Sequence, residues 1–301
     1  MSKSLQALLI LLVSTNTLFA QTDTIRTDTT YWRKSFAAGA NLNQAAFSSN
    51  WKAGGVNSIA LGLFANYKAN YLKEKVSWDN DFQFQYGIIK NAGQDMRKSL
   101  DRIYLDSKYG YKISGQWNAF ISGNFFSQFA KGYKYDVDAT GNDLLISNFM
   151  SPGFLTFALG FEYRPTSWFS LRLSPFAPRF TFLSDQAVRP TPTDVVYGVP
   201  VGKSLRTEWL AAQIQADIDK DIAENLNLKV NYLGYANYET LALNTIDHRL
   251  SVMLTAKVNK FLSVNVNGIM LYDRDQDLSV QYSQSLALGL LYNIQNYTDK
   301  K

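Results

Sequence analysis

The chain has 301 residues, a single His and no Cys. That composition excludes a disulfide framework and any Cys-ligated metal centre. The formal charge of +5 is small and dispersed, with no Lys/Arg run that makes a stripe, so nucleic acid is excluded as a partner.

In chain order, the first twenty residues read as a secretory signal. Lys3 gives a positive start, Ala7 to Val13 is a short apolar run, and Ala20 is a small residue at the expected cleavage point. Ser14, Thr15, Asn16 and Thr17 interrupt the run before it reaches the roughly 20 apolar residues of a spanning helix. No other stretch comes close to that length, so a membrane form of this chain crosses as strands. Residues 21–31 are polar and Thr-rich and read as a flexible lead. Residues 32–296 are predicted to form one barrel, followed by a polar tail at 297–301.

From there apolar and polar residues alternate one by one. One face reads Ile59, Leu61, Leu63, Ala65, Tyr67, and the other Ser58, Ala60, Gly62, Phe64, Asn66, Lys68. The same contrast recurs in Leu155, Phe157, Leu159, Phe161 against Thr156, Ala158, Gly160, Glu162. Successive side chains of a strand point to opposite faces, so each such segment has one greasy side and one polar side. About twelve segments follow this rule, at 34–47, 57–72, 76–90, 99–113, 117–129, 153–164, 168–183, 205–219, 226–239, 246–258, 261–273 and 278–295. Short connections alternate with longer ones, the longest at 130–152 and 184–203. Tyr71, Trp78, Trp117, Tyr163, Trp168 and Phe261 gather beside the short ones, as at a membrane interface. The predicted fold is therefore all-β: a transmembrane antiparallel up-and-down barrel of about twelve strands, set in outer-membrane lipid, with short periplasmic turns and longer outer loops. A soluble sandwich or lipocalin-like barrel also alternates, but hides its apolar side.

With the apolar side on lipid, the polar side becomes the lumen. It carries Lys68, Asp79, Asp81, Arg102, Asp106, Lys108, Glu162, Arg164, Arg172, Asp217, Lys229, Arg249 and Lys257, with Lys112 and Asp247 at the same parity. Both signs are interleaved, as in a sheet knitted by cross-strand ion pairs. Phe64, Tyr104, Phe120, Phe126, Trp209 and Tyr235 share the inward parity and fill space. Twelve tilted strands give a backbone radius of roughly 12 Å, so the lumen is expected to be closed or narrow. An open small-solute pore is the alternative.

No catalytic set emerges, and the chain is expected not to be an enzyme or to need a cofactor. His248 faces outward and its same-face neighbour is Leu250, where a barrel phospholipase needs Ser. Asp136, Asp138 and Gly141 mimic the start of a calcium loop, but Ser147 stands at the closing position. That cluster and Asp273, Asp275 and Asp277 read as solvated acidic loops. Leu144, Leu145, Ile146, Phe149 and Met150 in one long loop, and Val195, Val196, Tyr197 and Val199 in the other, either plug the lumen or dock other outer-membrane proteins.

Four phrases carry a family resemblance. They are Asn50-Trp51-Lys52-Ala53-Gly54-Gly55-Val56-Asn57-Ser58, Ser151-Pro152-Gly153-Phe154-Leu155-Thr156, Phe169-Ser170-Leu171-Arg172-Leu173-Ser174-Pro175 and Lys257-Val258-Asn259-Lys260-Phe261-Leu262-Ser263. They resemble domain-of-unknown-function family 3078, an outer-membrane barrel family of Gram-negative bacteria without an assigned activity. The likeness runs over most of the chain and implies outer-membrane location. Its most specific piece is Trp51, Gly54, Gly55 and Asn57, read physically as a tight outer turn in which glycine supplies φ > 0. The functional expectation is a structural or accessory subunit of an outer-membrane assembly, with a diffusion channel or transporter as the alternative.

Overall fold

The computed structural model describes residues 30–46, 48, 56–137, 142–259 and 262–297. The signal segment at 1–20, Trp51, Gly54, Gly55, Asp138, Gly141, Phe261 and residues 298–301 lie outside the described residues. Residues 21–29 of the lead lie outside them as well.

Twelve walls close into a barrel. The first five are β1 (Trp32–Ala45), β2 (Ser58–Lys73), β3 (Val76–Asn91), β4 (Arg97–Ser114) and β5 (Trp117–Ser127). The short strands β6 (Gly132–Lys134) and β7 (Leu144–Ser147) pair with each other in the following loop, outside the wall. The sixth wall is β8 (Gly153–Tyr163). The seventh is split into β9 (Phe169–Phe176) and β10 (Arg179–Phe182), and the eighth into β11 (Leu205–Glu208) and β12 (Ala211–Ala223). The remaining four are β13 (Leu226–Asn237), β14 (Asp247–Lys257), β15 (Leu262–Tyr272) and β16 (Gln281–Gln295). Every neighbouring pair is antiparallel, and β16 pairs back onto β1 from Ser35↔Gln295 to Leu42↔Leu288. Closure gives each long strand of the wall a partner on both edges, and only short strands such as β11, paired with β10 alone, keep an open edge among the described residues. No described helix is long and apolar enough to cross a membrane.

The alternation fixes which side faces out. Register places Leu61 opposite Ile88 and Leu63 opposite Tyr86, and Leu61, Leu63 and Tyr86 are exposed outside the barrel. The inward residues one step along include Gly62 and Gln85, with Phe64 filling space between the walls, and they line the interior. A one-residue slip would turn every one of these side chains over, so register is strongly specified.

The two ends differ as the loop lengths predict. At the short-turn end β2 and β3 join through Glu74, at φ 52°, and β4 and β5 through Gly115, also at φ 52°. Both termini of the barrel also lie at this end. Trp32 packs on Tyr71 at 5.3 Å and on Trp78 at 5.9 Å, and Trp117 on Tyr163 at 5.0 Å. Nearer the long-loop end a second outward aromatic group includes Phe157, Phe180 and Trp209, joined edge to face. His248 stacks between Tyr232 and Tyr272, with its Nδ1 2.8 Å from the Tyr232 hydroxyl. The single His is thus a ring packed among tyrosines.

Two walls differ from the continuous strands the alternation predicts. The seventh breaks at Ala177-Pro178 and the eighth at Trp209-Leu210, side by side, and the Ala177 N–H donates to Ala211 O at 2.7 Å. Pro178 has no N–H to give the ladder, which forces the interruption. Each break adds a residue, so parity shifts across it. Glu208 and Ala211 both face inward, and Trp209 and Leu210 both turn out. Trp209, read from parity as a lumen filler, is therefore 56% exposed on the outer surface. The seam is tight: a Cβ on Gly160 would lie 2.0 Å from Leu173 O, so only glycine lets β8 approach β9 there.

Candidate functional site

The polar faces of the walls converge on one lumen cavity of about 910 Å³. It runs from the short-turn half, where Lys68, Asp79 and Arg164 line it, to the long-loop half, where Tyr197 and Asp273 do.

Its lower network is centred on Glu162. Asp79 pairs with Lys108 in register between β3 and β4, and their charges meet at 3.2 Å. Lys108 also reaches across β5 to Glu162 on β8, at 2.5 Å. The intervening inward residues are Ser122 and Ala158, small enough to leave that path open. Glu162 further receives Arg164 at 3.2 Å and Arg172 Nε at 3.6 Å. Arg172, three walls from β4, also meets Asp106 at 3.3 Å. Asp81 and Asp106 stand directly opposite each other, a destabilising like-charge pair. Each has its own cation: Arg172 for Asp106, and Lys68 at 3.9 Å for Asp81. Lys108 is fully buried and Glu162 nearly so, so these charges are held by one another rather than by solvent.

The upper network follows the wall breaks. Arg179 enters from β10, meets Asp247 on β14 at 2.7 Å, and lies 3.3 Å above the Tyr235 ring. Glu208 accepts from Arg206 at 3.1 Å and Asn237 Nδ2 at 2.9 Å, and Arg206 also bonds Asp275. Arg249 Cζ stands 4.9 Å from the centroid of Phe126, and Arg102 Cζ 5.9 Å from the same centroid and 5.1 Å from that of Tyr104.

Of the residues singled out from sequence, Lys68, Asp79, Asp81, Arg102, Asp106, Arg164, Arg172, Asp217, Lys229 and Arg249 line the cavity. Lys108 and Glu162 lie buried beside it. Asp217 accepts from Asn231 and Gln215, and Lys229 pairs with Asp219 at 3.1 Å. Lys257 is exposed at the short-turn rim, outside the lining. Asn57 begins β2's approach, where its carbonyl accepts from the Ala92 N–H. Sequence reasoning passes over Arg179, Arg206 and Glu208, because the wall breaks shift their parity. The one available signal is the pair of prolines Pro175 and Pro178.

The long loops fold onto each other above the lumen. Leu183, Val188 and Val199 are buried together, with Leu145, Val196 and Tyr197 packed against them. Tyr197 (φ 52°) and Gly198 (φ 71°) form the centre of a tight turn bridged by Val196 and Val199. The Tyr197 hydroxyl donates to Ile146 O at 2.7 Å. Burial, with the nearby Asp273 charge, pushes that phenol up to about 12. Asp185 accepts from Asn148 Nδ2 at 2.7 Å and from the Ala187 N–H at 2.9 Å, bonds that hold its carboxyl below the usual carboxylate range. The buried Arg189 donates to the carbonyls of Val199, Pro200 and Lys203 and so ties its own loop together. The acidic loop residues are not merely solvated. Asp136 pairs with Arg97 at 2.7 Å, and Asp273 is buried, accepting from the Asp275 N–H and Gln276. No group of three or more metal-ligating side chains occurs among the described residues.

No curated protein matches the sequence. Among solved structures the chain is similar to an outer-membrane channel from Pseudomonas putida F1, with 10% identity, TM-score 0.40, and coverage of 87% of this chain and 95% of that one. It is similar to the translocator domain of autotransporter NalP from Neisseria meningitidis, with 10% identity, TM-score 0.38, and coverage of 96% and 95%. It is also similar to the toluene transporter TodX of P. putida, with 9% identity, TM-score 0.31, and coverage of 90% and 91%. In sequence, residues 42–133 match the family described as Protein of unknown function (DUF3078), a match that includes the Trp51 phrase and ends before the other three.

Proposed function

We propose that this chain is a non-enzymatic outer-membrane barrel that serves as a structural or accessory subunit of an outer-membrane assembly, its lumen closed to free ion flow. The observation that carries the reading is that three lumen cations are paired with carboxylates on walls beyond their own neighbours. Lys108 with Glu162, Arg172 with Asp106 and Arg179 with Asp247 each join walls that are not neighbours. The apolar outer belt and its aromatic groups support a lipid setting. The signal-like first twenty residues support export, with cleavage at Ala20. Phe149, Val195, Leu241 and Leu243 stay exposed on the outer loops, and Leu243 is 90% exposed. They are the surface offered to a partner protein.

A tagged chain, purified in mild detergent from its native outer membrane, is expected to bring down a partner in stoichiometric amount. Substituting Phe149, Val195 and Leu243 with Ser should release that partner. Recovery of the barrel alone would count against the subunit reading. The second reading, a small-solute channel, is favoured by the cavity of about 910 Å³.

A further inference from the structure

Among the described residues Arg102, Arg164, Arg172, Arg179 and Arg249 line the cavity and Arg206 pairs with the inward Glu208, and four of these six have a carboxylate. Arg164 meets Glu162 at 3.2 Å, Arg172 meets Asp106 at 3.3 Å, Arg179 meets Asp247 at 2.7 Å and Arg206 meets Glu208 at 3.1 Å. Arg102 and Arg249 have no ion-pair partner among the described residues. They come from β4 and β14, the fourth and tenth of twelve walls, and so from opposite sides of the barrel. Both nonetheless approach the same ring, Phe126, and both line the cavity.

A guanidinium over an aromatic ring spends its π face on the stack. Its planar fork of N–H donors stays free. In Arg179, which is also stacked on a ring, Asp247 takes one Nη1 hydrogen bond. In Arg102 and Arg249 no acceptor among the described residues bonds the guanidinium, and Arg102 Nε is buried without any hydrogen bond. Two like charges directed at one point in a narrow, partly desolvated lumen repel each other. An anion held between them would offset that repulsion.

We propose that Arg102 and Arg249 form a binding site for one small oxyanion, a phosphate or carboxylate, held between the two guanidinium forks beside Phe126. Planar or tetrahedral oxygens suit such forks bidentately, which a spherical halide cannot do. Gln85 lies opposite Arg102 in register and lines the cavity, an amide group able to donate to a bound oxygen. The site goes beyond the subunit reading and does not depend on whether the barrel conducts.

The test uses the full-length barrel in detergent, in chloride buffer, titrated calorimetrically with inorganic phosphate and separately with acetate. Saturable one-to-one binding of at least one of the two is expected, and the tighter of them identifies the group recognised. Arg249→Gln should weaken it at least tenfold, and Arg102→Lys, which keeps the charge and loses the fork, should also weaken it. In oxyanion-free buffer the folded Arg249→Gln barrel should be no less heat-resistant than the parent, because one of two repelling charges has gone. A merely structural arginine would instead lower heat resistance. Neither anion binding to the folded parent, or binding that survives both substitutions, would overturn the proposal. Because the readout is direct binding, its failure is separate from any failure to find a partner protein.

Discussion

Glu162→Gln is expected to destabilise the barrel by about 3 kcal/mol, the low end of what removing one partner from a buried ion pair costs. Glu162 is the shared anion of Lys108, Arg164 and Arg172. Lys108 retains Asp79 and Arg172 retains Asp106 after the change, which keeps the loss from being larger. What remains is one excess buried cation beside a fully covered ammonium. Arg164→Gln is the matched control. Its side chain is 44% exposed, so solvent already screens it, and its loss should cost under about 1 kcal/mol. Urea unfolding of the barrel reconstituted in vesicles reads both. Equal losses for the two variants would show that Glu162 is not the centre of the network.

Leu288→Arg should cost about 2–4 kcal/mol in a bilayer, the range for a cation on the lipid face near the midplane. Leu288 lies midway along β16, opposite Leu42 and Val264, and is 52% exposed on the outer surface. Were that surface in water, as in a soluble lipocalin-like barrel, the same substitution would be neutral or would aid solubility. The sign of the effect therefore reads which solvent surrounds the barrel. Equilibrium refolding into lipid vesicles measures it, and an unchanged folding midpoint would contradict the lipid-facing assignment.

The parts of this fold legible in the sequence are those set by local rules. Hairpins such as β2–β3 follow from period-2 alternation on either side of Lys73–Lys75, and the ends of the barrel follow from loop length. The wall breaks were hidden, because one added residue at Trp209-Leu210 leaves composition unchanged while reversing parity. Inward parity also identifies Lys108 and Glu162 as lumen residues. That they pair across β5 depends on the stagger of the closed sheet and on small Ser122 between them. The meeting of Arg102 and Arg249 at Phe126 depends on the wall count, which makes β4 and β14 opposite. The cap was half legible. Leu145, Val196, Tyr197 and Val199 stood out as apolar loop residues, but their burial against Leu183 and Val188 is a tertiary outcome.

The central claim is a barrel whose bore is crossed by its own paired charges and covered by its own loops. Single-channel recording in planar bilayers tests it most directly. The purified barrel, confirmed as folded by its heat-modifiable gel migration, is expected to give no steady open steps. Removing the covering residues 184–203 should still leave the crossing pairs and a low conductance. Steady, reproducible open steps from the intact chain would contradict the account and favour a small-solute channel.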